Sequence, residues 1–201
     1  PEVLRRLRRL ADKHGVLLVF DEIFTGFGRT GTLFAMQAAG IEPDIVTLSK
    51  ALTGGTLPLS AAVASTKVFE AFWSDDAGAA LMHGPTYMAN PLACAAANAS
   101  LDLFEGGTWA ADVARVSAAL AEGLEPCRAG RGVVDVRTLG AIGVVEFDAP
   151  VPVSDLCARF AELGVWIRPM GKVIYLTPAF TTPDADLALL TLAVRKVVGV
   201  A

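Results

Sequence analysis

The chain has 201 residues, 53% hydrophobic and 19% charged, enough to bury a core and too apolar for a disordered segment. Lys and Arg number 17 against 21 Asp and Glu, and the formal net charge of −4 argues against an electrostatic nucleic-acid binder. Three widely spaced cysteines (Cys94, Cys127, Cys157) and two histidines give no zinc pattern, disulfide framework or His-rich metal site, and suit a reducing, cytoplasmic setting.

The chain begins at Pro1 rather than Met and runs directly into a charged segment, which raises the expectation of a piece of a longer polypeptide. Residues 2–14 alternate charge with Val3, Leu4, Leu7 and Leu10 at helical spacing, and Gly15 follows as a stop. The run 16–20 is continuously apolar and predicts a parallel strand covered on both faces, ended by Asp21 and Glu22. A loop with Gly26, Gly28 and Gly31 precedes a short helix over 33–39 and a second strand over 44–48, which ends in Ser49-Lys50. Helix, strand, helix, strand is the grammar of an α/β sheet. A third strand is predicted over 60–65 and a helix over 67–73.

The longest uncharged stretch, 77–101, contains His83, Pro85, Asn90, Pro91 and Asn98, and reads as buried soluble structure rather than a membrane span. Asn90-Pro91 is a good cap and first turn for an Ala-rich helix to about Phe104, closed by Gly106-Gly107. A domain boundary is expected there. Beyond it the pattern predicts an amphipathic helix over 108–124, then strands 133–136 and 142–147, helix 154–163, strands 165–168 and 173–177, and helix 183–198. The last part is a ββαββα, α+β layer.

Five places could carry chemistry. Asp21 stands at the carboxyl end of a predicted buried strand, where open α/β sheets bind ligands, although a loop acid satisfied by backbone explains it as well. Lys50 follows 29 residues later at the end of the next strand. It is either an amine engaged in chemistry or a strand-end Lys reaching solvent. Taken together, an acid and an amine on adjacent parallel strand ends suggest pyridoxal phosphate, with the acid on the pyridine nitrogen and the amine on the aldehyde. Gly54-Gly55 allows close approach to a ligand or makes a simple turn. His83-Gly84-Pro85-Thr86-Tyr87, ahead of the Asn90 helix, has the parts of an anion site or of a turn plus cap. Arg168, inside an apolar run, either pairs with an acid or receives a carboxylate.

The segments Leu18-Val-Phe-Asp21-Glu22-Ile-Phe-Thr-Gly26-Phe-Gly-Arg29-Thr-Gly31 and Pro43-Asp-Ile-Val-Thr-Leu-Ser-Lys50-Ala-Leu-Thr-Gly-Gly55 resemble the signature of class III aminotransferases. The likeness runs the length of the chain. It implies a pyridoxal 5'-phosphate-dependent transferase of fold type I, with residues 1–107 in the later part of a large, mostly parallel-sheet cofactor domain and 108–201 as an α+β small domain. It assigns cofactor binding to Asp21, Lys50, Gly84, Pro85 and Thr86, catalysis to Lys50, and substrate binding to Gly84 and Arg168, with Arg29 structural. Members are homodimers whose Thr86-type contact crosses to the neighbouring subunit's site.

Three segments are also similar to members that move an amino group from S-adenosylmethionine to 8-amino-7-oxononanoate in biotin biosynthesis. They are 83–100, 137–146 and Gly164-Val-Trp-Ile-Arg-Pro-Met-Gly-Lys172-Val-Ile-Tyr175. The resemblance leaves open an ornithine- or 4-aminobutyrate-type ω-aminotransferase, and a fragment without activity of its own. Family members are about twice as long. Their preceding segment supplies a Gly-Ser phosphate loop, an aromatic that stacks on the cofactor, and further pocket residues.

Overall fold

A computed structural model describes residues 1–200. The chain divides into two units, the first Pro1–Thr108 and the second from Trp109 onward.

In the first unit, helix α1 (Glu2–His14) stops at Gly15, whose φ of 64° lets its N–H return to the Ala11 and Asp12 carbonyls. Strand β1 (Val19–Asp21) lies parallel to β2 (Ile45–Leu48), and β2 pairs antiparallel with β3 (Ala61–Ala64), giving the order β1-β2-β3. Between β1 and β2 sits the short helix α2 (Ala35–Ala39). After β3 come α3 (Thr66–Glu70) and the long α4 (Pro91–Glu105), whose Asn90 side chain accepts from the Leu92 and Ala93 N–H groups. Phe20, Val46, Leu48, Leu52 and Ala97 form the core of this unit with Phe27, whose ring meets those of Phe34 and Phe104 at 5.5 Å.

Two expectations change here. β1 is parallel but is covered on one face only: Phe20 is buried while Val19 is 52% exposed. Residues 77–89 are not buried structure, because they make local turns and no layer packs over them.

In the second unit, α5 (Trp109–Leu124) packs on a three-stranded antiparallel sheet, β4 (Val133–Leu139), β5 (Ile142–Phe147) and β6 (Val173–Leu176), in that order. Helices α6 (Val153–Glu162) and α7 (Asp184–Val198) complete the layer. Val116, Leu120, Phe160, Val145 and Val194 are fully buried at its centre. Gly123 allows α5 to approach α7, since a Cβ there would lie 2.5 Å from the Thr191 hydroxyl.

The predicted strand over 165–168 does not form. The segment is extended, with Val165, Ile167 and Pro169 inward and Trp166, Arg168 and Met170 outward, but it joins no ladder beyond a single Met170–Val173 bridge. Pro169 has no N–H to give a sheet. No described helix is long and apolar enough to cross a membrane.

Candidate active site

The parallel register pairs Val19 with Ile45 and Asp21 with Thr47, so both chains leave the sheet at the same rim. Asp21 is the last residue of β1, and Lys50 follows β2 by two residues. Adjacent strands lie about 4.8 Å apart, which places the two exits side by side. The Asp21 carboxylate is exposed and accepts one hydrogen bond, from the Ile23 N–H at 3.0 Å. The Lys50 side chain is exposed rather than buried, and its Nζ lies 5.1 Å from the centroid of the Phe24 ring. Neither group takes part in an ion pair among the described residues.

Lys50 has a φ of 44°, a left-handed conformation that costs a non-glycine residue roughly 1–3 kcal/mol and persists where surrounding structure imposes it. The surroundings do so here. Lys50 opens a 3₁₀ turn to Thr53 whose Leu52 and Thr53 are buried. The Ser49 hydroxyl donates to the Leu59 carbonyl, the Thr53 hydroxyl to that of Leu57, and Ser100 of α4 to that of Ala51. Gly54 closes the turn at φ 60°, so the Gly54-Gly55 pair serves as a turn.

Sequence reasoning missed Glu22, which is 1% exposed. Its carboxylate accepts from the Thr25 hydroxyl at 2.7 Å and from the Ala35 and Met36 N–H groups at 3.0 Å, capping α2 from a distance. Phe34, at the cap position itself, offers no acceptor side chain. The Glu22 N–H continues the ladder to the Thr47 carbonyl, and its own carbonyl receives the Gly26 N–H. A Cβ at Gly26 would lie 2.8 Å from that carbonyl, so the loop after Asp21 needs glycine there. The only local signal was an acid adjoining Asp21. Ser100 gave no signal, being one polar residue in an Ala-rich helix. Arg29 is half-buried in the same loop, and burial draws its guanidinium below the usual value.

Gly84, Pro85 and Thr86 lie in the exposed segment before α4. The Met88 N–H closes a turn on the Pro85 carbonyl, and the Thr86 hydroxyl has no partner among the described residues. No hydrogen bond ties these residues to the Asp21–Lys50 rim. Arg168 belongs to the second unit, is exposed, and makes no ion pair or hydrogen bond among the described residues. The structural ion pair considered for it is therefore not formed among the described residues. It borders a cleft of about 220 Å³ with Trp166 and Tyr175. Among the described residues no group of His, Cys, Asp and Glu could hold a metal ion.

A carboxylate with a free oxygen suits a ring N–H, and a primary amine without a salt-bridge partner suits an aldehyde. The residues present on the rim fit pyridoxal phosphate.

The model of the class-III aminotransferase family matches residues 1–198. The chain is 46% identical over 199 residues to the adenosylmethionine-8-amino-7-oxononanoate aminotransferase of Mycobacterium leprae, covering 99% of this chain and 45% of that one. Among solved structures, it is similar to the enzyme of that name from Methanocaldococcus jannaschii (TM-score 0.86, 29% identity, 95% of this chain and 47% of that chain). It is also similar to an amine transaminase from an uncultivated Pseudomonas species in its PLP-bound form (TM-score 0.85, 34% identity, 95% and 46%). The chain thus spans about half the length of the relatives it matches.

Proposed function

Because the chain belongs to the class-III aminotransferases, we propose that it carries the Asp21 and Lys50 machinery of an enzyme that makes 7,8-diaminononanoate for biotin biosynthesis. The amino group comes from S-adenosylmethionine and goes to 8-amino-7-oxononanoate. The name of the Mycobacterium leprae relative supports this choice of substrates. The observation that carries the reading is the pair of adjacent parallel strand ends bearing a carboxylate and an amine that no ion pair among the described residues consumes.

Class-III aminotransferases use pyridoxal 5'-phosphate, whose ring withdraws electrons and accepts and returns an amino group. Asp21 keeps a proton on the ring nitrogen through its unused carboxylate oxygen. The Lys50 amine would hold the cofactor aldehyde and, when free, would carry a proton between carbon atoms. The Thr86 hydroxyl and the backbone at Gly84 and Pro85 hold the phosphate in the site of a second copy, which makes the working unit a homodimer. Gly84 also borders the substrate, and Arg168 receives the carboxylate of the acceptor as a bidentate pair. A cytoplasmic setting suits such a biosynthetic enzyme.

Two variants test the rim. In the cofactor-loaded enzyme, Lys50→Ala is expected to retain cofactor and lower turnover by roughly three orders of magnitude. Near-normal turnover would refute the role of the amine. Asp21→Asn removes the partner of the protonated ring and is expected to cut turnover by roughly 10²-fold or more. The similarity to an amine transaminase supports a second reading, an ω-aminotransferase with another donor. Amination of 8-amino-7-oxononanoate by ornithine or 4-aminobutyrate but not by S-adenosylmethionine would select it. A third reading, a fragment inactive alone, predicts no Lys50-dependent absorbance change when the 201-residue chain is mixed with pyridoxal phosphate.

A further inference from the structure

Trp166 and Arg168 point outward from one extended segment whose alternate residues Val165, Ile167 and Pro169 are buried. Residues two apart on an extended chain share a face and stand about 6.5–7 Å from each other. Both border the same cleft of about 220 Å³, which Tyr175, Pro178 and Leu190 also line. The guanidinium has no partner among the described residues, and Trp166 is 78% exposed. Trp166 therefore contributes little to the core of its own unit. Among the described residues no strand pairs at Trp166.

A free guanidinium beside an apolar wall matches a carboxylate that carries a hydrocarbon tail. The head takes the fork of the guanidinium, and the methylenes leave water against the flat ring. We infer that Trp166 is a specificity-determining residue that measures the methylene chain of the carboxylate held by Arg168 and favours long straight tails over short ones. This rests on the carboxylate-binding role proposed for Arg168. It adds a second, apolar element that selects among carboxylates rather than merely binding them.

The test uses straight-chain monocarboxylates from butanoate to nonanoate as competitive probes of the cofactor-loaded protein. Inhibition constants come from kinetics, and dissociation constants from calorimetry. In the unmodified protein each added methylene is expected to tighten binding about three- to fourfold over the first several members. Trp166→Ala should flatten that slope to less than about twofold per methylene. Trp166→Gln, which keeps bulk without the apolar face, should flatten it likewise, so one poorly folding variant does not decide the matter. Trp166→Phe should restore most of the slope.

Arg168→Met should weaken every probe by a similar factor and leave the slope intact. If Trp166→Ala and Trp166→Gln keep the original slope, the inference is overturned, even if both lower thermal stability, because Trp166 is then only a packing residue. If Arg168→Met leaves every constant unchanged, the carboxylate role of Arg168 fails instead. The two failures are read from different variants.

Discussion

At the scale of single residues, the first unit is organised by a carboxylate that takes no visible part in the chemistry. Glu22 is buried with three donors converging on it, two of them the first N–H groups of α2. Buried carboxylates are tolerated when such bonds replace water. Glu22→Gln turns an amide N–H₂ toward those donors and leaves at least one of them unmatched. A loss of about 1–3 kcal/mol is expected from a denaturant titration. An unchanged midpoint would mean that the loop after Asp21 does not depend on this anchor. Asp21 and Lys50 were legible in the sequence because each ends an apolar run abruptly. The role of Glu22 was not, because its backbone donors are 13 and 14 residues downstream and only folding brings them back.

At the scale of elements, the register of the parallel pair is held where α1, β1 and β2 meet. The Asp44 carboxylate accepts from the Leu18 N–H and from Arg8 of α1, both at 2.8 Å. The Leu18 backbone bond and then the Arg8 guanidinium hold the Asp44 carboxyl below its ordinary range. The sign follows from linkage. A depressed native value means that the unfolded chain binds the proton more tightly, so the stabilisation is complete above the unfolded-state value. It is lost as pH falls through the lower native one. Asp44→Asn should therefore be less stable than the parent at neutral pH, and the gap should close below about pH 4. Thermal midpoints of both proteins between pH 6 and pH 3 would check this, and a constant gap would count against it. The helices were readable from periodicity and their Gly or Asn-Pro ends. The strand expected over 165–168 was misjudged because an apolar alternating run records burial of one face, not the presence of a hydrogen-bonding neighbour.

At the scale of the whole molecule, the high apolar fraction is not absorbed by the two cores. Val3, Val63, Trp73, Met82, Tyr87 and Leu103 of the first unit are each more than half exposed. Apolar surface on this scale marks interaction faces. The chain is expected to sediment at micromolar concentration as a species heavier than its 21.0 kDa monomer. A clean monomer would oppose the proposed homodimer. By itself, the sequence determined that Asp21 and Lys50 follow apolar runs and where the long helices stop, because an apolar period and the charge or glycine that breaks it are local facts. Only the tertiary structure decided that Asp21 and Lys50 leave the sheet at one rim, that Glu22 is buried, and that Arg168 has no partner among the described residues. Each depends on segments remote in sequence coming within hydrogen-bonding distance, or failing to, and no local pattern encodes that distance.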